Sequence, residues 1–159
     1  MEIRTTRFDH PDAIRLNDLV QLEYAERYGD GDATHMAADH FDPPRGLYLL
    51  GYDADGKPVA SGGWRAQDDA AEGFTAGDAE IKRMFVVRSA RGRGHARAML
   101  AELEATAAAA GRTRMVLETG QKQPEAIALY TSCGYVPVGG FGHYRDEPLS
   151  VHLGKPLAG

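Results

Sequence analysis

Cysteine is nearly missing from this chain. Its 159 residues contain one, Cys133, so no internal disulfide can form and no thiolate set can hold a metal. That usage fits a reducing compartment. The stretch after Met1, Glu2 to Arg7, is polar and offers no apolar core for a secretory leader, so the expected location is cytoplasmic. Long hydrophobic runs are missing as well. The longest plainly apolar patches, such as Ala105 to Ala110, fall far short of the ~20 residues that cross a bilayer, and no membrane role is expected. A basic excess is also lacking. The formal net charge is -5, which argues against nucleic acid as a partner. What remains is 43% hydrophobic and 26% charged, the balance of a folded globular chain and not of a disordered one. The length suits one domain over residues 1–159.

Periodicity and breakers set out the elements. Glu2 to Thr6 reads as a first strand, and Pro11 opens a helix to about Tyr28 with Ile14, Leu16, Leu19, Val20 and Leu22 at roughly helical spacing. The polar segment Gly29 to Arg45 has room for a second helix that Pro43-Pro44 would end. Leu47–Tyr52 and Pro58–Arg65 flank the turn Asp53-Ala54-Asp55-Gly56, and Gln67 to Asp78 is a loop. Glu80 to Val87 is a strand. A helix to about Ala110 follows, with Ala96, Met99, Leu100, Leu103 and Ala107 on one face, and Gly111 stops it. Arg114–Thr119 is a strand, Pro124–Ser132 a helix, and Tyr135–Val138 with Leu149–Leu153 a last pair of strands. The order β-α-(α)-β-β-β-α-β-α-β-β implies an α/β chain with a mixed sheet and right-handed crossovers.

One turn carries chemistry. Arg91-Gly92-Arg93-Gly94-His95-Ala96 joins a strand to a helix. Glycines there let backbone approach a ligand, and the unpaired N–H groups and positive dipole end of the helix attract an anion. Arg91 and Arg93 add charge, so the segment reads as a pyrophosphate cradle. It is not a Walker A loop, which would need Gly-Lys-Ser/Thr. Nor is it a dinucleotide fingerprint, because Arg97 stands at the third glycine position. It does match Arg/Gln-x-x-Gly-x-Gly/Ala, as Arg91-x-x-Gly94-x-Ala96.

With that match, the chain resembles the GNAT acetyltransferase superfamily. The resemblance runs from Glu80 to Tyr135. It covers the strand Glu80-Ile81-Lys82-Arg83-Met84-Phe85-Val86, the cradle, and Ala126-x-x-Leu129-Tyr130-x-x-x-Gly134-Tyr135 one crossover later. It implies a mixed, mostly antiparallel twisted sheet flanked by helices. The sheet would split into a V between the strands ending near Val87 and Thr119. Acetyl-CoA would lie in the V as cosubstrate. Phe85, Val86 and Val87 would meet the pantetheine amides, and N–H groups of Gly92 to Ala96, His95 included, would hold the pyrophosphate. The acceptor amine would come from the opposite side.

The resemblance also assigns roles. Tyr130 matches the tyrosine that protonates the departing thiolate, although a tyrosine on an amphipathic helix could equally be core. Glu80 matches a carboxylate that relays a proton from the amine, or it pairs with Lys82 or Arg83. Glu118 competes for that role or binds the acceptor. Backbone N–H groups near Phe85 or Val86 would serve the oxyanion. Gln123 or Pro124 stands where many relatives carry an asparagine that bonds the pantetheine arm, and Gln123 could replace it. Arg88 stands where a proline is common. Glu23, Tyr24, Tyr28, Asp30 and Asp32 fall in the segment that walls the acceptor pocket, an acidic-aromatic set suited to a cationic amine. His35, Asp39, His40 and Asp42 lack the further ligands of a metal site. The expected activity is acetylation of a primary amine of a small molecule. A protein N-terminal or lysine acetyltransferase and a non-catalytic acyl-CoA-binding module remain open, and the last strands leave room for a homodimer.

Overall fold

The computed structural model describes residues 1–157. Seven strands form one sheet: β1 (Glu2–Thr6), β2 (Gly46–Tyr52), β3 (Pro58–Gln67), β4 (Asp78–Val86), β5 (Arg114–Gly120), β6 (Val136–Pro137) and β7 (Ser150–Pro156). Three helices flank it: α1 (Pro11–Tyr28), α2 (His95–Ala109) and α3 (Pro124–Ser132). The spatial order is β1-β2-β3-β4-β5-β7-β6, antiparallel everywhere except between β4 and β5. The fold is thus the mixed, mostly antiparallel sheet expected. The room for a second helix before Pro43 is taken by one 3₁₀ turn, Ala38–Phe41. Strand β6 shrinks to two residues, and β7 runs on to Pro156 between β5 and β6.

Local chemistry fixes the joints. In the β2–β3 turn, Asp53 Oδ1 accepts from the N–H groups of Asp55 and Lys57, both at 2.9 Å. At the head of α1, His10 Nδ1 accepts from Asp12 N at 3.0 Å ahead of Pro11. Helix α1 buries Ala13, Leu16, Asn17 and Val20 against Tyr48, Leu50, Tyr52 and Phe85 on one face of the sheet. Ile14, Leu19 and Leu22, counted in the apolar spacing of the sequence, face outward at 49%, 40% and 63% exposure. The opposite face of the sheet, with Leu49, Trp64, Ile81, Met115 and Leu117, packs on α2 through Met99, Leu100, Leu103 and Ala107, and on Tyr130 of α3.

The β4–β5 pairing positions the site. Parallel register holds over only three pairs, Asp78–Arg114, Ala79–Met115 and Glu80–Val116. Beyond Glu80 the strands part, and β5 continues against β7 to Gly120. β4 turns away at a bulge: Gly63 pairs Lys82 and Ser61 pairs Phe85, so Arg83 and Met84 together oppose Gly62, with Arg83 at φ 59°. A bulge bends a strand and strengthens its twist, and here it opens the V.

Candidate active site

Side-chain alternation decides what the V exposes. Ile81 and Leu117 belong to the core beneath α2 and α3. Lys82 and Glu118, the next residues, lie on the other face. All four line a single cavity of about 390 Å³. The cavity therefore passes through the sheet at the split, and molecules approaching from its two faces would meet there.

Seven of the residues singled out in the sequence as site candidates line this cavity: Tyr130 from α3, Tyr24 and Tyr28 from α1, Asp30 and Asp32 from the loop after it, Glu118 from β5, and Gln123 at the head of α3. Tyr130 is 7% exposed, and burial, with Cys133 adding to it, pushes its phenol up, so it keeps its proton at neutral pH. Burial also pushes Tyr24 up, with Asp32, Tyr130 and Glu118 adding to it and Arg83 opposing. The Tyr28 hydroxyl is buried without a hydrogen-bond partner among the described residues. It lies 1.7 Å from where a Cβ at Gly120 would stand, so only glycine fits there.

Two carboxylates were weighed as bases, and they sit in different surroundings. Glu80 occupies the last position of β4 that pairs with β5. Its Oε1 accepts from Arg65 Nε at 2.9 Å and from Gln67 Nε2 at 3.0 Å, and it is not among the cavity residues. Its partner is thus Arg65, not Lys82 or Arg83. Glu118 accepts from Ser150 Oγ at 2.7 Å on the cavity wall. Burial raises its proton affinity, Asp32 and Glu80 add to that, and Ser150 and Lys82 pull the other way. A carboxylate that holds its proton more tightly is a better base.

Beyond the cavity, β4 leads through Phe85, Val86 and Val87 to the cradle. These residues bond β3 on one side, where Val87 N donates to Val59 O at 2.9 Å. On the free side Arg91 Nε donates to the Val86 carbonyl at 2.8 Å, so that edge group is already engaged. The Arg91 fork closes on Glu23 at 3.2 and 2.9 Å, which ties the cradle to α1 and takes Glu23 out of the acceptor wall. Gly92 and Gly94 both stand at φ 79° with open space where a Cβ would be. Gly94 caps α2 without a side-chain bond, and the first N–H after it to bond backward is Ala98, to Gly94 O at 3.1 Å. The N–H groups of Gly92 to Ala96, with Arg93 and His95 between, have no acceptor among the described residues. That is the geometry of an anion site at a helix head.

The sequence reading missed a second cluster. Asp32 accepts from Lys82 Nζ at 2.8 Å and from Thr34 N at 2.9 Å, and the Arg83 Nε lies 3.5 Å away. Burial alone would raise the Asp32 carboxyl, but the Lys82 charge and these hydrogen bonds outweigh it and hold it below the usual range. Tyr144 closes the same corner, its hydroxyl accepting from Ala33 N at 2.8 Å. Consecutive cations inside an otherwise apolar strand were the available signal, since two adjacent charges on a central strand call for a counter-charge nearby. His35 and His40 instead serve Arg65, which donates to the His35 carbonyl at 2.9 Å and lies 3.0 Å from His40 Nδ1.

A split sheet with a through-going cavity and a glycine cradle at the end of its central strand defines an acyl-CoA-type transferase fold. The chain belongs to the acetyltransferase (GNAT) family, whose model matches residues 13–135 and whose cosubstrate is acetyl-CoA. It is 46% identical over 81 residues to an IAA acetyltransferase of Azospirillum brasilense, a match over 51% of this chain and 53% of that protein. Among solved structures it resembles a Klebsiella pneumoniae subsp. pneumoniae protein described as a candidate acyl-CoA N-acyltransferase. That likeness has TM-score 0.80 and 28% identity, over 99% of this chain and 97% of the other. An aminoglycoside 6'-N-acetyltransferase complexed with coenzyme A shares the fold, with TM-score 0.73 and 17% identity over 100% and 98% of the two chains. Among the described residues no helix is long and apolar enough to cross a membrane.

Proposed function

We propose that this protein transfers the acetyl group of acetyl-CoA to the primary amine of a small molecule, by direct attack within a ternary complex. One observation carries the reading. The cavity at the split joins both faces of the sheet and has a carboxylate, Glu118, and a protonated phenol, Tyr130, on its wall.

The chemistry follows from those groups. Peptide N–H groups of Gly92 to Ala96 receive the pyrophosphate, and Phe85 to Val87 with Gln123 guide the pantetheine arm toward the cavity. Glu118 takes a proton from the acceptor ammonium, directly or through one water. The freed nitrogen attacks the thioester carbonyl, and a backbone N–H of the Phe85–Val86 segment steadies the oxyanion. As the tetrahedral centre collapses the C–S bond breaks, Tyr130 gives its proton to the thiolate, and the surplus proton of the attacking nitrogen leaves to water and restores the phenol. Tyr24 and Tyr28 wall the acceptor. Glu80 stays on Arg65 and acts on Glu118 only through its charge. The cavity of about 390 Å³ is of a size that favours a small acceptor over a folded protein.

The test is release of free thiol from acetyl-CoA across a panel of amines, beside direct measurement of CoA affinity. Turnover that falls in Tyr130→Phe and Glu118→Gln with CoA affinity unchanged supports the assignment. CoA binding with no thiol release above hydrolysis for any amine overturns it in favour of a binding module.

A further inference from the structure

The charges around the cavity do not suit a simple cationic amine. Asp32, the carboxylate of the expected acidic wall that reaches inside, is already shared by two cations, Lys82 at 2.8 Å and Arg83 at 3.5 Å. All three side chains are at least nine-tenths buried. Arg83 is not satisfied by that contact. Its Nη1 donates to the neutral Asn17 Oδ1 at 3.3 Å, while its Nε is buried without a hydrogen-bond partner among the described residues. A buried guanidinium whose N–H lacks a hydrogen bond is costly, and further negative charge close by offsets that cost.

Across the split stands Glu118. Glu80 and Val116 are the last registered pair, so Lys82 of β4 and Glu118 of β5 are the next residues facing one another on the same side. The interior wall thus sets two cations, Lys82 and Arg83, against two carboxylates, Asp32 and Glu118. The other acidic lining residues, Asp30 and Glu147, are exposed and screened by solvent. A monovalent ammonium leaves this interior with one uncompensated positive charge, wherever its proton moves between nitrogen and Glu118. A zwitterion leaves none. The polarity also matches: a cationic β4 side and an acidic β5 side lie across a gap the width of the opened sheet.

We propose that the acceptor is an amino acid or a close analogue. Its carboxylate would be held by Lys82, with the buried charge of Arg83 beside it, and its ammonium turned to Glu118. The proposal rests on the acetyl-transfer reading above and narrows its substrate.

The experiment uses the native protein and three matched series: the standard amino acids, the corresponding amides, and the amines that lack the carboxylate altogether. Thiol release from acetyl-CoA gives kcat/KM for each. At least one amino acid is expected to exceed its amide and its decarboxylated amine by ~10- to 100-fold, the weight of a hydrogen bond between charged groups. In Lys82→Met, with folding checked by unchanged CoA affinity, that preference is expected to collapse through KM. Should this variant not fold, the native series alone decides. Amides or plain amines turned over as well as the acids overturn the zwitterion proposal and leave acetyl transfer standing. CoA binding with no thiol release for any of the three series overturns both.

Discussion

Arg65 and Glu80 stand directly opposite one another on β3 and β4, and Arg65 Nε meets Glu80 Oε1 at 2.9 Å with both side chains more than nine-tenths buried. The Arg65 fork also holds the His35 carbonyl, so Glu80 anchors the loop after α1 to the sheet.

This locked pair separates two roles that the sequence could not. Replacing Glu80 by Gln leaves Arg65 without its charge partner and is expected to cost on the order of 3 kcal/mol of stability. CoA affinity and the acid limb of the pH profile should persist. Denaturant melts and steady-state kinetics on Glu80→Gln check both. Loss of the acid limb would transfer the base role from Glu118 to Glu80.

Glu118 sets the expected pH dependence. Its ionised form is the base, and burial raises its proton affinity. The kcat/KM should therefore climb with pH through a point above the ordinary glutamate value, and Glu118→Gln should remove that rise. Stability runs the other way. The native state binds this proton more tightly than the unfolded chain, so the contribution is full below the unfolded pKa and is lost as pH rises through the folded one. Glu118→Gln should accordingly melt higher than the native protein at neutral pH.

The parts of the site that were legible are those with backbone signatures. Gly92 and Gly94 announce a cradle because few other residues tolerate φ 79°, and the apolar spacing of Met99, Leu100, Leu103 and Ala107 gave the α2 face correctly. Tyr130 was found because it lies a fixed distance before Gly134-Tyr135. Side-chain partnerships were not legible. Glu80 could have bonded any nearby cation, and only the β3–β4 register selects Arg65. Asp32 was one of several carboxylates of the acceptor wall, and only the folding of the loop after α1 sets it onto Lys82. On α1 the expected stripe was half right: contact with Tyr48 and Leu50 buries Leu16 and Val20 and adds Ala13, while Ile14, Leu19 and Leu22 face outward.

Tyr130→Phe removes one oxygen and leaves the ring in its contact with Tyr135 at 5.6 Å. The melting temperature should hardly move, while kcat falls by ~10²-fold, the usual share of a general acid. Equal affinity for CoA in both proteins would show that the loss lies in the chemical step.

At the cradle, Gly94→Ala meets no neighbouring atom but must hold a positive φ, which costs about 1 kcal/mol. Gly94→Asp carries the same strain and adds a carboxylate among N–H groups assigned to the pyrophosphate. CoA affinity measured by calorimetry should weaken modestly for the first and be lost for the second. Unchanged affinity in Gly94→Asp would remove the cradle from the mechanism.

Asp32 gives the sharpest acid test of the fold around the cavity. Lys82 and its hydrogen bonds hold its carboxyl below the usual range in the native state. A depressed pKa stabilises fully above the unfolded value and is lost as pH falls through the folded one, so the native protein should weaken progressively below about pH 4. Asp32→Asn should remove that acid dependence and be less stable at neutral pH by ~3 to 5 kcal/mol, because Lys82 and Arg83 are left buried without a counter-charge. Adding Lys82→Met takes one of those stranded cations away. The double variant should therefore be more stable than the sum of the single losses, with a coupling energy of ~1 kcal/mol or more. Strict additivity in that cycle would mean the two charges do not depend on each other. The charge balance assigned to the acceptor pocket would then have to be redrawn around Arg83 alone.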